Sequence, residues 1–139
     1  MGPWQALVED EESFGAFFDF PAVNPSVKGR PYRYAWGGCA TRPTNAGNSL
    51  AKFDNQERTA RVWHEVGALP GEPVFVPAPG AAAEDEGVLL SVIVQADGAA
   101  AVVFLDGQSH TEIARARLPY QLSNGFHGRF VAAAAAAAQ

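Results

Sequence analysis

The chain has 139 residues, the length of one domain with a core of its own. Its formal net charge of −5, from 10 basic and 15 acidic residues, argues against nucleic acid or an anionic membrane surface as its partner. A single cysteine leaves no disulfide framework and favours a reducing, intracellular compartment.

The two ends of the chain differ in composition from the part between them. Residues 1–16 are acidic and contain no basic segment followed by an apolar one, so they predict a disordered lead-in rather than a secretory signal. Residues 132–139 form an alanine-rich tail of low complexity. The longest apolar run, 131–138, is too short to span a bilayer. We therefore expect the folded body to cover residues 17–131.

Strand and turn signals alternate through the first half of this body. Residues 17–21 are aromatic and end in a proline, which is typical of an edge strand that enters a turn. Residues 32–36 alternate aromatic and other side chains, a strand pattern, and their rings are expected to pack within the sheet. Residues 37–48 are rich in glycine, threonine and asparagine and predict a loop. Residues 50–54 and 60–65 flank a short polar turn and predict a hairpin.

Four further strands are predicted in the second half, within residues 73–118. Residues 73–77 lie between prolines, and residues 88–94 are almost continuously apolar, which predicts a strand buried on both faces. Turns at Asp-Gly pairs lead into strands over 101–105 and 112–118. Four antiparallel strands in about 45 residues fit one blade of a β-propeller, and they also fit a sandwich or a small barrel. The fold class is all-β in each case.

Few side chains indicate chemistry by themselves. His127 precedes a glycine near a strand end, which suits a metal ligand, although a lone histidine is more often a core or turn residue. His64 and His110 show no ligand spacing, and we expect both to be solvated turn histidines. Residues 84–86 are three adjacent acids, which are usually solvated, and Cys39 has no basic neighbour that would activate its thiol.

Seven short motifs carry a resemblance to a known family. In chain order they are Phe-Asp-Phe-Pro (18–21), Gly-Arg-Pro-Tyr-Arg-Tyr-Ala-Trp-Gly (29–37), Val-Trp-His-Glu (62–65), Glu-Pro-Val-Phe-Val-Pro (72–77), Glu-Asp-Glu-Gly-Val-Leu-Leu-Ser (84–91), Ala-Arg-Ala (114–116) and Phe-His-Gly-Arg-Phe (126–130). Their order and spacing resemble the C-terminal part of the carotenoid cleavage oxygenases. That family also contains the retinoid isomerohydrolase of the visual cycle and bacterial stilbene-cleaving enzymes.

The resemblance implies the last two or three blades of a seven-bladed β-propeller with a non-haem Fe(II) on its axis. In the family, four histidines bind the iron and carboxylates accept hydrogen bonds from most of these imidazoles. By the same resemblance, His127 is the C-terminal iron ligand and Glu72 is the carboxylate partner of an imidazole. Asp19 stands where the family has a second such glutamate, and its shorter side chain reaches less far. The other three ligand histidines belong to family segments upstream of the part that this chain resembles, and the acidic run at 84–86 is structural in the family.

The implied activity is cleavage of a conjugated double bond of a carotenoid or apocarotenoid by O2, in the cytoplasm or a plastid. We expect this chain, as a truncated product or partial gene model, to be inactive alone, because one histidine cannot hold iron in a defined geometry. Peripheral membrane contact is implied only for parts of the family fold that the chain lacks. Two alternatives stay open: a stilbene-cleaving relative, and a non-catalytic β-module that binds a hydrophobic ligand or a partner through open strand edges.

Overall fold

The computed structural model describes residues 18–41, 47–123, 125 and 127–133. Within them the chain forms nine β-strands and one short 3-10 helix, Pro25–Val27. The strands are β1 (Phe18–Ala22), β2 (Tyr34–Cys39), β3 (Ser49–Asp54), β4 (Thr59–His64), β5 (Ala68–Pro70), β6 (Val74–Pro77), β7 (Gly87–Gln95), β8 (Ala100–Asp106) and β9 (Glu112–Arg117). The all-β prediction is confirmed. In this described part of the chain, no helix is long and apolar enough to cross a bilayer.

The strands form two antiparallel sheets that follow each other along the chain. The first sheet has the order β1-β2-β3-β4. In the second sheet β7, β8 and β9 are neighbours, and β5 and β6 both pair with β7. β5 lies along the C-terminal half of β7 and β6 along its N-terminal half, so together they occupy one strand position that is interrupted at 71–73. Each sheet is therefore four strand positions wide, as expected for a propeller blade.

An apolar layer between the sheets forms the main core. Trp36 on β2 is fully buried and stacks on Phe75 of β6, with ring centroids 4.2 Å apart and an interplanar angle of 8°. Further buried side chains from both sheets surround this pair, namely Leu50, Leu89, Ile93, Val103 and Leu105. Because the cluster takes members from both sheets, burying it requires the two sheets to pack together.

A second, smaller cluster lies apart from this layer. Cys39, Ala51 and Phe53 are buried there, and the ring of Phe18 meets that of Phe53 edge to face at 4.4 Å. Burial raises the pKa of the Cys39 thiol to about 12, so this cysteine is an inert core residue.

Two sequence-based expectations about the strands were wrong. Residues 37–39 continue β2 instead of starting the loop, because Gly37 lets the ring of Phe18 lie directly against the β2 backbone. A Cβ at Gly37 would lie 2.2 Å from that ring. β7 is buried on one face only, since Leu89, Ser91 and Ile93 face the first sheet while the residues between them stay half-buried.

A buried ion pair also connects the sheets. The Lys52 ammonium of β3 lies 2.5 Å from Asp85 Oδ2, in the loop before β7, and donates to the carbonyl of Gln108 at 2.9 Å. Both charged side chains are buried, with 6% and 10% of their surfaces exposed. The Lys52 ammonium also lies 4.2 Å from the ring centroid of Tyr34.

The neighbouring acids of this loop are engaged as well. Glu84 accepts hydrogen bonds from the backbone N–H groups of Arg33 and Tyr34 at 2.7–3.0 Å, and Glu86 accepts one from the N–H of Ala82 at 2.8 Å. The acidic run is therefore structural, as the resemblance implied, and the expectation that it is simply solvated was wrong. The predicted lead-in and the tail from 134 onward lie outside the described residues, so the expected domain limits stay predictions.

Candidate metal-ligand site

Glu72 and His127 meet although 55 residues separate them. Glu72 Oε2 lies 3.2 Å from His127 Nδ1 and accepts a hydrogen bond from the backbone N–H of Gly128 at 2.9 Å. One carboxylate oxygen therefore holds both the imidazole and the backbone beside it. The structure thus brings together two of the three residues that the sequence singled out.

The break between β5 and β6 positions Glu72. The N–H of Gly71 donates to the carbonyl of Val92 at 2.8 Å, and the hydroxyl of Ser91 donates to the carbonyl of Gly71 at 2.9 Å. Pro73, on the other side of Glu72, is among the largest fully buried side chains. Since both neighbours are tied to the sheet, the Glu72 backbone is fixed where its carboxylate reaches the C-terminal segment.

The pairing suits a metal ligand. A neutral imidazole whose Nδ1–H donates to a carboxylate carries its lone pair on Nε2, the form that binds a metal. The side chain of His127 is 67% exposed and that of Glu72 is 24% exposed, so the ring stands at the surface of the described part of the chain. A hydrogen bond in this setting contributes little to stability, and its main effect is to orient the ring.

Asp19 is connected to this site through its neighbour on β1, Phe20. Its carboxylate accepts a hydrogen bond from the N–H of the next residue, Phe20, at 2.8 Å. The ring of Phe20 meets the imidazole of His127 edge to face, with centroids 5.7 Å apart and an interplanar angle of 87°. Sequence reasoning missed Phe20, although the Phe-Asp-Phe-Pro motif contained it. The role of Asp19 as the partner of an imidazole stays a prediction.

The other two histidines lie away from this site. His64, at the end of β4, has Nδ1 3.1 Å from the hydroxyl of Ser49 and 3.0 Å from the carbonyl of Asn48, so it fixes the start of β3. His110 was expected to be solvated, and this was wrong. It is 4% exposed, and its Nε2 lies 3.1 Å from the carbonyl of Leu50.

The turn between β8 and β9 explains why His110 is buried. Its backbone there is left-handed, with φ +60°, and its ring packs against the first sheet, where Nε2 reaches the carbonyl of Leu50. Burial, together with the nearby charges of Lys52 and Arg61, lowers the pKa of His110 to about 4. The ring is therefore neutral at physiological pH and donates from Nε2 to Leu50.

The described residues account for only part of a metal site. Among the described residues, no group of three or more His, Cys, Asp or Glu side chains could hold a metal ion. His127, oriented by Glu72, would supply one ligand nitrogen, and a complete coordination sphere would need further donors.

An open groove runs beside the site. It has a volume of about 520 Å³, and Glu72 and Gly128 lie on its wall. Most of its other lining is apolar and comes from the end of β1 and the residues after it, from β6 and from the C-terminal segment, including Val23, Val74 and Phe130. Lys28 and Arg129 also line the groove, so it suits a molecule that is mostly apolar.

Comparison with known proteins gives consistent results. The family model described as retinal pigment epithelial membrane protein matches residues 5–132. The carotenoid cleavage dioxygenase 8 homolog B, chloroplastic, of Oryza sativa subsp. japonica is 48% identical over 118 residues, which are 85% of this chain and 21% of the rice protein.

Solved structures agree with the sequence matches. A mutant of Synechocystis apocarotenoid oxygenase (ACO) superposes with a TM-score of 0.80 at 33% identity, over 91% of this chain and 26% of that protein. The cobalt-substituted form of the Synechocystis enzyme gives a TM-score of 0.78 at 33% identity, over 88% of this chain and 26% of that protein. The chain thus spans about a fifth to a quarter of the length of the relatives it matches.

Proposed function

The chain belongs to the carotenoid cleavage oxygenase family, the family described as retinal pigment epithelial membrane protein, and from this premise we propose that it is part of a non-haem Fe(II) dioxygenase. Its two sheets are blades of the family's β-propeller. The proposed reaction cleaves one conjugated C=C bond of a carotenoid or apocarotenoid with O2. Each carbon of the broken bond takes one oxygen atom, and two carbonyl products leave.

The observation that carries this proposal is the contact of Glu72 Oε2 with His127 Nδ1. Members of the family hold a metal, as the cobalt-substituted Synechocystis enzyme indicates, and we propose iron as the metal in this protein. Bound Fe(II) supplies the one-electron chemistry that lets O2 react with a closed-shell double bond. Within this chain, His127 provides one ligand nitrogen and Glu72 sets its tautomer and direction.

The substrate class follows from the relatives and is supported by the groove. The rice relative is named a carotenoid cleavage dioxygenase, and the Synechocystis protein an apocarotenoid oxygenase. The groove at Glu72 and Gly128 is lined mostly by apolar side chains, which suits a polyene, since a polyene has few groups that could form hydrogen bonds. The rice relative is described as chloroplastic, and a plastid is the compartment we propose.

A chimera tests the proposal directly. This chain would replace the matching quarter of Synechocystis apocarotenoid oxygenase, and the purified chimera would be assayed for bound iron and for apocarotenoid cleavage. We expect both in the chimera and neither after His127→Ala. The matched control, His64→Ala, should keep both, since the hydrogen bonds of His64 in the described part of the chain go to Ser49 and Asn48, at the start of β3.

A chimera whose iron content and activity survive His127→Ala would contradict the proposal. Cleavage of β-carotene by the purified 139-residue chain with Fe(II) and O2 would contradict a different expectation, that the chain is inactive alone.

A second candidate function is metal-free binding of an apolar ligand, and the open groove favours it. Retinoid fluorescence titrations of the isolated chain, with and without a chelator, test this candidate. Tight binding that persists with the chelator and in His127→Ala supports a binding module, and a chain that does not bind retinoids contradicts it.

A further inference from the structure

We infer that Phe20 is a positioning residue that sets the ring plane of His127, and that Asp19 acts on the site through Phe20. The two rings meet edge to face, with centroids 5.7 Å apart and an interplanar angle of 87°. This is the favoured arrangement of two aromatic rings, because the positive edge of one ring faces the negative face of the other.

An irregularity in β1 brings Phe20 to the site. Asp19 pairs with Gly38 and Ala22 pairs with Trp36, so three steps along β1 oppose two steps along β2. The extra residue is a β-bulge, which redirects a side chain that would otherwise follow the alternation of the strand. Phe20 lies within this bulge and has a left-handed backbone, with φ +51°.

Asp19 stabilises that unusual backbone. Its Oδ1 accepts a hydrogen bond from the N–H of Phe20 at 2.8 Å. A left-handed conformation is rare for a bulky residue, and it persists where the surroundings fix it, often at functional sites. The short aspartate side chain thus holds its neighbour, and it need not reach an imidazole to affect the site.

The two glycines of β2 differ in what lies against them. At Gly38 a Cβ would make ordinary contacts, 3.8 Å from the carbonyl oxygen of Asp19 and 4.0 Å from Cδ2 of Phe20, so the β2 backbone packs beside Phe20 without crowding. Phe18, on the same strand, lies over Gly37 and meets Phe53 instead of His127. β1 therefore carries two phenylalanines with different tasks, one in the core and one at the site.

The two contacts restrict different motions of the imidazole. Glu72 holds Nδ1 and so selects the tautomer, but one hydrogen bond still allows the ring to rock about it. The Phe20 ring restricts that rocking, and together they fix the direction of Nε2. The effect of a fixed imidazole on catalysis rests on the proposed function. The arrangement of the rings is independent of that function.

NMR of ¹⁵N-labelled imidazoles in the metal-free 139-residue chain tests the inference. In Phe20→Leu we expect the ring protons of His127 to lose the ring-current shift and the order parameters of its ring C–H bonds to fall, because the ring rocks more widely. Its two nitrogens should stay in one tautomer, because Glu72 still holds Nδ1. Asp19→Ala should move the same signals in the same direction by a smaller amount. Phe20→Tyr, which keeps the ring, should restore the wild-type signals.

The chain provides its own controls. His64 and His110 should keep their signals in Phe20→Leu, which shows that both sheets remain folded. Phe18→Leu removes the other phenylalanine of β1 and should leave His127 unchanged. A His127 signal that is the same in Phe20→Leu and wild type overturns the inference.

If Phe20→Leu changes the signals of all three histidines, the variant has lost its fold, and the test is then made on the wild-type chain. The inference then requires a nuclear Overhauser contact between the Phe20 and His127 rings, and the lack of that contact overturns it. No metal or substrate enters these measurements, so their failure is distinct from failure of the proposed dioxygenase function.

Discussion

At the scale of single residues, two histidines show how surroundings decide a side chain's role. His127 is largely exposed and held by a carboxylate, so its ring is available for chemistry. His110 is buried, and in its neutral form only Nε2–H must find an acceptor, which Leu50 provides. Its Nδ1 has no hydrogen-bond partner among the described residues, and an unsatisfied lone pair is tolerated in a core more easily than a buried charge.

The buried His110 predicts how stability depends on pH. Its pKa is about 4 in the folded chain and near 6.5 when unfolded, so between these values the unfolded state binds more protons. Stability should therefore fall as pH falls, by about 2 kcal/mol between pH 7 and pH 5. Urea unfolding at several pH values measures this loss.

A matched pair of variants assigns that loss to one residue. His110→Asn should flatten the pH dependence between pH 7 and pH 5, since asparagine tolerates a left-handed backbone and does not titrate there. His64→Asn should keep the wild-type slope. An unchanged slope in His110→Asn would show that another group causes the loss.

At the scale of strands and loops, the loop before β7 locks the second sheet onto the first. Asp85 balances the charge of Lys52, and both side chains are largely buried. Asp85→Asn should therefore destabilise the chain by about 3–5 kcal/mol, because it leaves a buried ammonium without its counter-charge. Chemical denaturation gives this free energy.

Two comparisons check the cause of that loss. Glu112→Gln removes a carboxylate from the more exposed pair with Arg115 and should cost less than about 1 kcal/mol. The double change Lys52→Met with Asp85→Leu should recover most of the stability, because it removes both charges and keeps apolar volume. A small loss in Asp85→Asn would mean that water reaches Lys52.

Local patterns explain which elements could be predicted. The β3–β4 hairpin followed from the sequence because its turn and both strands are contiguous. The end of β2 did not, because Gly37 and Gly38 look like loop residues unless the approach of Phe18 is known. Likewise the Lys52–Asp85 pair joins residues 33 positions apart, and no pattern in the sequence predicts this contact.

The contacts of the candidate site could not be predicted from local sequence patterns either. The spacing of residues did not connect Glu72 with His127, and only the resemblance to a family did. Phe20 was present in a quoted motif, yet its role depends on a bulge and a left-handed φ that the sequence does not display.

At the scale of the whole molecule, the Trp36–Phe75 stack predicts that both sheets unfold together. The stack lies in a core cluster that takes side chains from each sheet. Tryptophan fluorescence and far-ultraviolet circular dichroism should therefore give coincident unfolding transitions. Trp36→Ala should lower the free energy of unfolding by about 3–5 kcal/mol.

An exposed ring provides the matched control. Tyr120 is 58% exposed, so Tyr120→Ala should change the free energy of unfolding by less than about 1 kcal/mol. Two separate transitions in the wild-type chain would show that each sheet is stable alone and that the shared core is not what unites them.

The separation of Glu72 and His127 along the chain also bears on the order of folding. Glu72 precedes β6 and His127 follows β9, so these four strands lie between the two residues. Contacts between distant positions form late, since the intervening chain must first lose its freedom. The imidazole acquires its carboxylate only after the second sheet has closed. If His127 is the ligand that we propose, a misfolded second sheet would present no oriented imidazole, and metal binding would report that this sheet has assembled correctly.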